Sequence, residues 1–484
     1  MGAAGLGMLL ATAVLMAVSG LPAWTVLVGT AMAFAVGGLL LGAWPLQLFM
    51  ALPLRLLGLL EHDLLQALPL YVLIGAMLHR LPLADILFRV ALHLLRRTAA
   101  APYLAGIGLG TLLAPLNGSV GASISMLSRT MGRRLGRQGV PAEAGAALIC
   151  TASTVGVVVP PSLVLILLGD AMMRAHTEAV NATGHAALIV NTQDLFHGAL
   201  RPAALMLALF LVLTWWLHRG RPAGTNAFAR DAAAVPSRAD RLVVAGSVAC
   251  ILALLTAVTL GRLYAVEGAA TGALLLCGFG LATRSLTPAV ARQVLHEALA
   301  ITGALFALLM AATTYTLVLR ALGTDAWIAD LLRGLPGGGP VALAVVLGML
   351  VLSAFVLDAF EIIFVIVPIV MPPLLALVPD ATWVAVLALL VLQMGFLLPP
   401  LGYAVLMVGS LLPEPLSTRR LARALAPYLL VQALVIAGVW QWPGLVWHSR
   451  SATAEVAPVS DDELQQLFDQ QRLDSEAPAP DTAP

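Results

Sequence analysis

Lysine is absent from this 484-residue sequence: its 26 positive charges are all arginine, set against 25 acids for a formal charge of +1. Charge of either sign is scarce, 11% of residues against roughly a quarter in soluble domains. A near-neutral chain has no global basic excess, so no nucleic-acid partner is expected. Arginine serves membrane flanks as well as lysine, so its exclusive use alters no mechanism. Cysteine is nearly missing too. Cys150, Cys250 and Cys277 lie far apart inside apolar runs, which fits neither a disulfide framework nor zinc spacing. No His-Glu-x-x-His and no Walker A loop occurs, so the chain carries no ATPase of its own. Gly118-Ser119-Val120-Gly121 is not a nucleophile elbow, because Asn117 stands where that motif needs glycine. With no nucleophile–base pair visible, the chain is not expected to be an enzyme.

Apolar length is what the sequence has in excess: 60% of residues are hydrophobic, and the mean hydropathy is +0.95. A single soluble core could not bury so much, which makes a lipid bilayer the main solvent. A spanning helix needs about 20 mostly apolar residues. Runs of that kind fall at 3–20, 23–50, 101–128, 142–168, 196–217, 242–260, 264–283, 341–373, 382–412 and 425–447. The first lacks a positive segment before it and reads as a membrane helix rather than a cleaved signal. Stretches 57–81 and 296–320 are apolar but interrupted, and 82–97 and 321–336 are amphipathic. His218 to Arg241 is a polar connector, and 449–484 is too polar to order itself.

One offset relates the two halves. Gly156 to Pro160-Pro161 returns as Gly395 to Pro399-Pro400, 239 residues later, and the same shift places Ser119 on Asp358. It also places 57–81 on 296–320 and 82–97 on 321–336. Agreement of four elements under one shift indicates a tandem duplication of 55–175 and 295–415. The loop 129–137 is arginine-rich and its counterpart, 368–380, has none, so the repeats are expected to be inverted across the membrane. For the count of crossings to close, 296–320 is expected to be a re-entrant hairpin, and its repeat mate 57–81 is read in the same way. That count puts Arg96 and Arg97 near the outer side, against the rule it rests on.

Four segments break membrane helices with residues that lipid-facing helices avoid: 115–125, 151–162, 353–361 and 393–403. Proline and glycine release backbone groups that the bilayer cannot satisfy. Matched breaks in two inverted halves point to a midplane site, where half-helix N-termini attract anions and unwound oxygens suit a hard cation. Cation-binding candidates are Asn117, Gly118, Ser119, Ser153, Thr154 and Gly156 in the first half, and Asp358, Gln393 and Gly395 in the second. Pro160, Pro161, Pro399, Pro400 and Gly402 mark the breaks. Ser123, Thr313, Thr314 and Glu361 are the substrate candidates. Asp358 and Glu361 are the only acids in the run from Val341 to Leu377, and an intramembrane acid is a functional candidate by default. Asp358 could ligate a cation, carry a proton or cap the following half-helix.

At these residues the sequence resembles the large membrane subunit of tripartite ATP-independent periplasmic (TRAP) transporters. Gly118-Ser119 with Gly156 to Ser162 matches the first half of that family, and Asp358 with Pro399-Pro400-Leu401-Gly402 matches the second. Asp358-Ala359-Phe360-Glu361-Ile362 looks most like the branch labelled mannitol/chloroaromatic. The resemblance implies an all-α polytopic membrane protein of two inverted repeats with re-entrant hairpins and broken helices, working as an elevator-type transporter. It implies sodium-coupled import of an organic acid across the bacterial inner membrane, with Na+ as coupling ion and no other cofactor. It also implies two partners, a periplasmic substrate-binding protein and a separate small four-helix membrane subunit. Val120 and Leu398 stand where the family usually has hydroxyls near its ion sites. The expected organisation is 1–54 as N-terminal scaffold, 55–175 as first repeat and 176–294 as connecting scaffold with a cytoplasmic linker. Next come 295–415 as second repeat, 416–448 as a C-terminal membrane helix and 449–484 as a disordered tail. The alternative is a stand-alone proton- or sodium-coupled anion carrier with similar inverted halves.

Overall fold

A computed structural model describes residues 2–42, 47–60, 63–137, 140–184, 190–220, 236–411 and 417–446. The tail from 449 and most of the polar connector, 221–235, lie outside the described residues. All regular structure among the described residues is helical. In the first half the helices are α1 (Gly2–Ser19), α2 (Ala23–Leu40), α3 (Gln47–Leu60), α4 (Asp63–Arg80), α5 (Leu83–Leu94), α6 (Ala101–Leu113), α7 (Val120–Leu127), α8 (Arg133–Arg137), α9 (Ala142–Val158), α10 (Leu163–Thr183) and α11 (Thr192–His218). After the connector come α12 (Arg238–Thr259), α13 (Ala265–Ala282), α14 (Pro288–Ala321), α15 (Thr324–Arg333), α16 (Gly338–Ser353), α17 (Ala359–Glu361), α18 (Val367–Leu375), α19 (Ala381–Leu397), α20 (Tyr403–Leu411) and α21 (Thr418–Gln441). π-Helical turns at Ser128–Gly132 and Ile362–Ile366 join α7 to α8 and α17 to α18. Among the described residues, six helices are long and apolar enough to cross a membrane, and two bent pairs raise the number to eight.

The duplication is visible in the element bounds. Both ends of α9 reappear in α19 after 239 residues, and Ser119 and Asp358 both stand at helix N-caps. Each long helix ends in an extended residue, Val159 or Leu398, followed by a cis Pro-Pro pair.

Two re-entrant hairpins exist, but in different segments from those expected. Residues 63–80 form one helix with Pro69 inside it, and 296–320 lie within the uninterrupted 34-residue α14. The hydroxyls of Thr313 and Thr314 donate to the carbonyls of Leu309 and Met310 one turn back, at 2.9 Å each. Such side chains satisfy themselves on the helix and do not break it. The first hairpin is instead α6 with α7: Met131, in the π turn after α7, lies against Gly106 near the start of α6. Thirteen residues of α6 span about 20 Å, too short for a hydrocarbon layer of about 30 Å, and the chain turns back. The second hairpin is α16 with α17–α18, where a Cβ at Gly339 would stand 3.0 Å from the Leu377 carbonyl oxygen.

Two long helices act as rulers for the inversion. On α21, Arg420 pairs with Glu143 at the start of α9 (3.6 Å), while the Val439 carbonyl accepts the Trp383 indole N–H at the start of α19 (2.8 Å). On α11, Gly198 abuts Thr382 of α19, while His218 stacks on Tyr103 of α6 at 3.6 Å between ring centroids. Nineteen or twenty helical residues rise about 30 Å, so α9 and α19 begin at opposite faces of the molecule and run antiparallel. Their hairpins follow them: Gly110 of α6 touches Ala152 of α9, and Gly395 of α19 touches Ala354 beyond α16. The hairpins therefore enter from opposite faces. Tyr103 also brings the 95–100 connection to the face that carries Arg219, Arg419 and Arg420. Arg96 and Arg97 thus join the arginine-rich end, correcting the crossing count, because α4 crosses where a hairpin was expected.

Outside the hairpins, α4 and α14 pack together and α14 lies on α2. Glu297 of α14 binds Arg80 of α4 through two nitrogens at 2.8 and 3.0 Å, with His79 at 3.1 Å. Arg320, 23 residues beyond Glu297 on α14, lies at the opposite end of that helix.

Candidate functional site

Each hairpin turns at the level of the opposing Pro-Pro break, and glycine makes the approach possible. A Cβ at Gly156 would meet the Ala114 carbonyl carbon at 2.5 Å and the Pro115 nitrogen at 2.8 Å. A Cβ at Gly395 would meet Ala354 Cβ at 2.6 Å. These are the same position of the repeat, so the glycine of Gly-x-x-x-Pro-Pro seats the hairpin tip against the break. The break itself is closed differently in each half. Ser162 donates to the Val157 carbonyl (3.0 Å) and accepts from the Leu165 N–H, whereas Gly402 N–H donates to the Leu398 carbonyl at 2.8 Å.

The first tip is a 3₁₀ turn, Ala114–Asn117, ending on Gly118 with φ of 74°, a left-handed conformation that favours glycine. Ser119 accepts from the Ala122 N–H and caps α7. A narrow cavity of about 10 Å³ lies between this tip and the break, lined by Gly118, Ser119, Ser123, Ser153, Gly156 and Ser162. It has room for a bare cation or a single water and nothing larger. Asn117 donates through Nδ2 to Ser123 Oγ (3.2 Å), which in turn donates to the Ser119 carbonyl (3.0 Å). Ser123, a substrate candidate, is buried and orients Asn117. Asn117 Oδ1 and Ser153 Oγ are buried without a hydrogen-bond partner in the structure. Such uncompensated oxygens cost about 1–3 kcal/mol each unless something binds them. They are hard donors of the type that suits an alkali cation. Thr154 is set apart: its hydroxyl donates to the Cys150 and Thr151 carbonyls of its own helix, and it does not line the cavity.

At the second tip Asp358 occupies the N-cap, and its backbone N–H donates to Glu361 Oε2 at 3.1 Å. Glu361 is thus engaged in holding the start of α17. Asp358 Oδ1 is buried and has no hydrogen-bond partner among the described residues. Gln393 is fully buried with both amide atoms unbonded. It stands two positions, hence about 200°, from Gly395, and so points away from the hairpin that Gly395 touches. Its repeat mate Thr154 stands in the same phase relative to Gly156. Thr313 and Thr314 sit at neither tip. Thr313 lines a separate cavity with Arg174 and Arg320, and Thr314 does not.

Tyr403 stands in the Pro-Pro-x-Gly-Tyr run, outside the set of site candidates, and it links the halves. Its hydroxyl would stand 2.9 Å from a Cβ at Gly121, in the first turn of α7, and it lies within range of the charges on Asp358 and Glu361. The repeat contains no hint of this, since the matching residue is Val164. Cys150 makes the reciprocal tie, its thiol donating to the Ala404 carbonyl at 3.5 Å. Among the described residues, no three His, Cys, Asp or Glu side chains come together as a metal cluster.

A family model described as "Tripartite ATP-independent periplasmic transporter, DctM component" matches residues 9–445. The C4-dicarboxylate TRAP transporter large permease protein DctM of Pseudomonas aeruginosa is 23% identical over 388 residues, covering 79% of this chain and 84% of its own. The sialic acid TRAP transporter large permease protein SiaM of Vibrio cholerae is 23% identical over 390 residues, 79% and 86% of the two chains. Among solved structures, the YdaH transporter of Alcanivorax borkumensis superposes with a TM-score of 0.55 at 16% identity, covering 83% of this chain and 89% of its own. That likeness shows a shared fold. Paired hairpin tips on matched helix breaks, within a family match that spans nearly the whole membrane portion, lead to one assignment: the chain belongs to the DctM component of the tripartite ATP-independent periplasmic transporters, as a multi-pass large permease subunit.

Proposed function

We propose that this permease imports an organic acid across the bacterial inner membrane by sodium symport. The observation that carries the reading is the pair of hairpin tips, entering from opposite faces, each holding a buried oxygen without a hydrogen-bond partner among the described residues. Sodium binds Asn117 Oδ1 and Ser153 Oγ with carbonyls of the Gly118-Ser119 turn in one half, and Asp358 with carbonyls near Gly395 in the other. The substrate carboxylate sits between the tips. There the N-termini of α7 and α17 present backbone N–H groups, and the dipoles favour negative charge. Tyr403 closes the space between the two.

Coupling then has a simple physical source. Two carboxylates, Asp358 and the substrate, do not share a low-dielectric site without counter-ions, and bound sodium supplies them. The hairpins and broken helices move as one body against α4 and α14, an elevator whose transit is favourable only when the carrier is fully loaded or empty. The relatives named for C4-dicarboxylates and sialic acid support an acid as cargo. Their membership in tripartite systems supports delivery by a periplasmic binding protein and a small membrane subunit as third component. The arginine-rich end is the cytoplasmic one.

The test is uptake into proteoliposomes containing the chain, its small subunit and its binding protein, with and without an inward sodium gradient. Uptake is expected to need both the gradient and the binding protein. Equal uptake without sodium removes the ion assignment, and equal uptake without the binding protein makes the chain a stand-alone carrier.

A further inference from the structure

A second polar cavity, of about 500 Å³, lies away from both hairpin tips. Its walls come from α3, the start of α4, the middle of α10, the last third of α14, the π turn before α18 and α18 itself. Arg320 fixes its level. Glu297 on the same helix pairs with Arg80 near the arginine-rich face, and 23 further residues rise about 34 Å. The cavity therefore sits at the opposite face, on the way from that face to the tips.

Three guanidinium groups line it, Arg55, Arg174 and Arg320, against two carboxylates, Asp170 and Glu178. Arg174 holds Asp170 through Nε (3.2 Å) and Nη2 (3.0 Å) on its own helix. Arg320 reaches from α14 to α10, where Nη2 donates to Glu178 Oε2 at 2.8 Å and also to the Pro368 carbonyl at 3.3 Å. These contacts use one nitrogen of a group that carries five N–H donors in a planar fork. The chain itself leaves these side chains partly uncovered: Arg174 is 49% exposed, Arg320 34% and Glu178 39%. Ion pairs that exposed contribute little, so exchanging one carboxylate for another costs little. A concave surface with a positive balance at a membrane face draws anions from solution.

We propose that this cavity is an anion vestibule, in which the carboxylate of an incoming organic acid takes the place of Glu178 on Arg320 before it reaches the hairpin tips. The carboxylate class rests on the proposed function. The positive vestibule itself does not, and the experiment separates the two. Displacing Glu178 also releases the tie between α14 and α10, so arrival of substrate loosens the contact between α14 and this broken helix.

The test uses the full chain in nanodiscs, with Cys250 and Cys277 replaced by alanine and the buried Cys150 retained. Thr316→Cys, on the cavity wall, is compared with Tyr264→Cys, in an exposed loop. Each is modified with the anionic sulfonatoethyl and the cationic trimethylammonioethyl methanethiosulfonates. The anion-to-cation rate ratio at position 316 is expected to exceed that at 264 by about tenfold, and to fall at least about threefold on Arg320→Gln. Millimolar succinate or N-acetylneuraminate is expected to slow anionic modification at 316, not at 264, with protection lost in Arg320→Gln. A ratio at 316 no higher than at 264 overturns the vestibule. A raised ratio with no protection by either acid overturns the carboxylate subsite. Failure of sodium-driven uptake leaves both readouts intact and bears only on the proposed function.

Discussion

Gly395→Ala tests the contact that seats the second hairpin on its break. The new Cβ would stand 2.6 Å from Ala354 Cβ, against 3.4 Å or more in ordinary contact, so about 0.8 Å of separation has to be found. Ala354 cannot rotate away, since its Cβ is fixed to the backbone, and the shift falls on the tip beside Asp358. Overpacking of this kind costs about 1–3 kcal/mol, offset by the 0.5–1 kcal/mol or so that alanine gains over glycine inside a helix. The net expectation is destabilisation of about 1–2 kcal/mol, and where that strain falls on the ion-bound tip it lowers sodium affinity by up to about five- to thirtyfold. The assay pairs thermal unfolding of the detergent-solubilised chain with sodium titration of uptake. Ala354→Gly in the same chain removes the opposing carbon and is expected to restore most of the affinity, while either change alone impairs it. Gly156→Ala is expected to be worse and not rescued by Ala354→Gly, because it meets backbone atoms of Ala114 and Pro115. If Gly395→Ala matches the parent in both stability and sodium dependence, the close approach of hairpin and break is refuted.

Three further outcomes follow from the geometry. Ser123→Ala removes the acceptor that orients Asn117, a neutral hydrogen bond worth about 0.5–1.5 kcal/mol. The sodium concentration for half-maximal uptake should rise about two- to tenfold with maximal uptake kept, and an unchanged titration would detach Asn117 from the ion site. Asp358→Asn keeps shape and loses charge, so sodium dependence should be lost or shifted by more than tenfold while the unfolding temperature barely moves; retained wild-type coupling would assign Asp358 to capping alone. Glu297→Gln breaks the tie to Arg80, whose partners are about one quarter to one third exposed. It should cost about 1 kcal/mol of thermal stability and leave sodium affinity untouched, which distinguishes α4 and α14 from the site.

Much of the site is legible in the sequence. Gly118-Ser119, Asp358 and both Pro-Pro breaks fall where two half-helices meet, because residues that break a helix do so through local chemistry. The hairpins fall in other segments than the sequence suggests for a related reason. Interruption by threonine looks like a break in the sequence, yet Thr313 and Thr314 return their hydroxyls to the helix backbone, and the helix runs on. Conversely, α6 looks like a span and is too short to be one. Gln393 and Thr154 lie close to the breaks in the chain but face the other way, a matter of 200° of helix phase that proximity in sequence does not report.

By itself the sequence determined the solvent, the helical class and the duplication, since apolar length, scarce charge and a fixed 239-residue offset are properties of one dimension. Only the tertiary structure decided which segments turn back, that α9 and α19 run antiparallel, and that Tyr403 reaches from one half toward the other. It also gathered Arg55, Arg174 and Arg320 from three distant segments around one cavity. Each of those depends on which faces of different helices meet. Packing chooses among such faces by the space that small residues such as Gly156 and Gly395 leave open, and no local pattern encodes the partner that fills it.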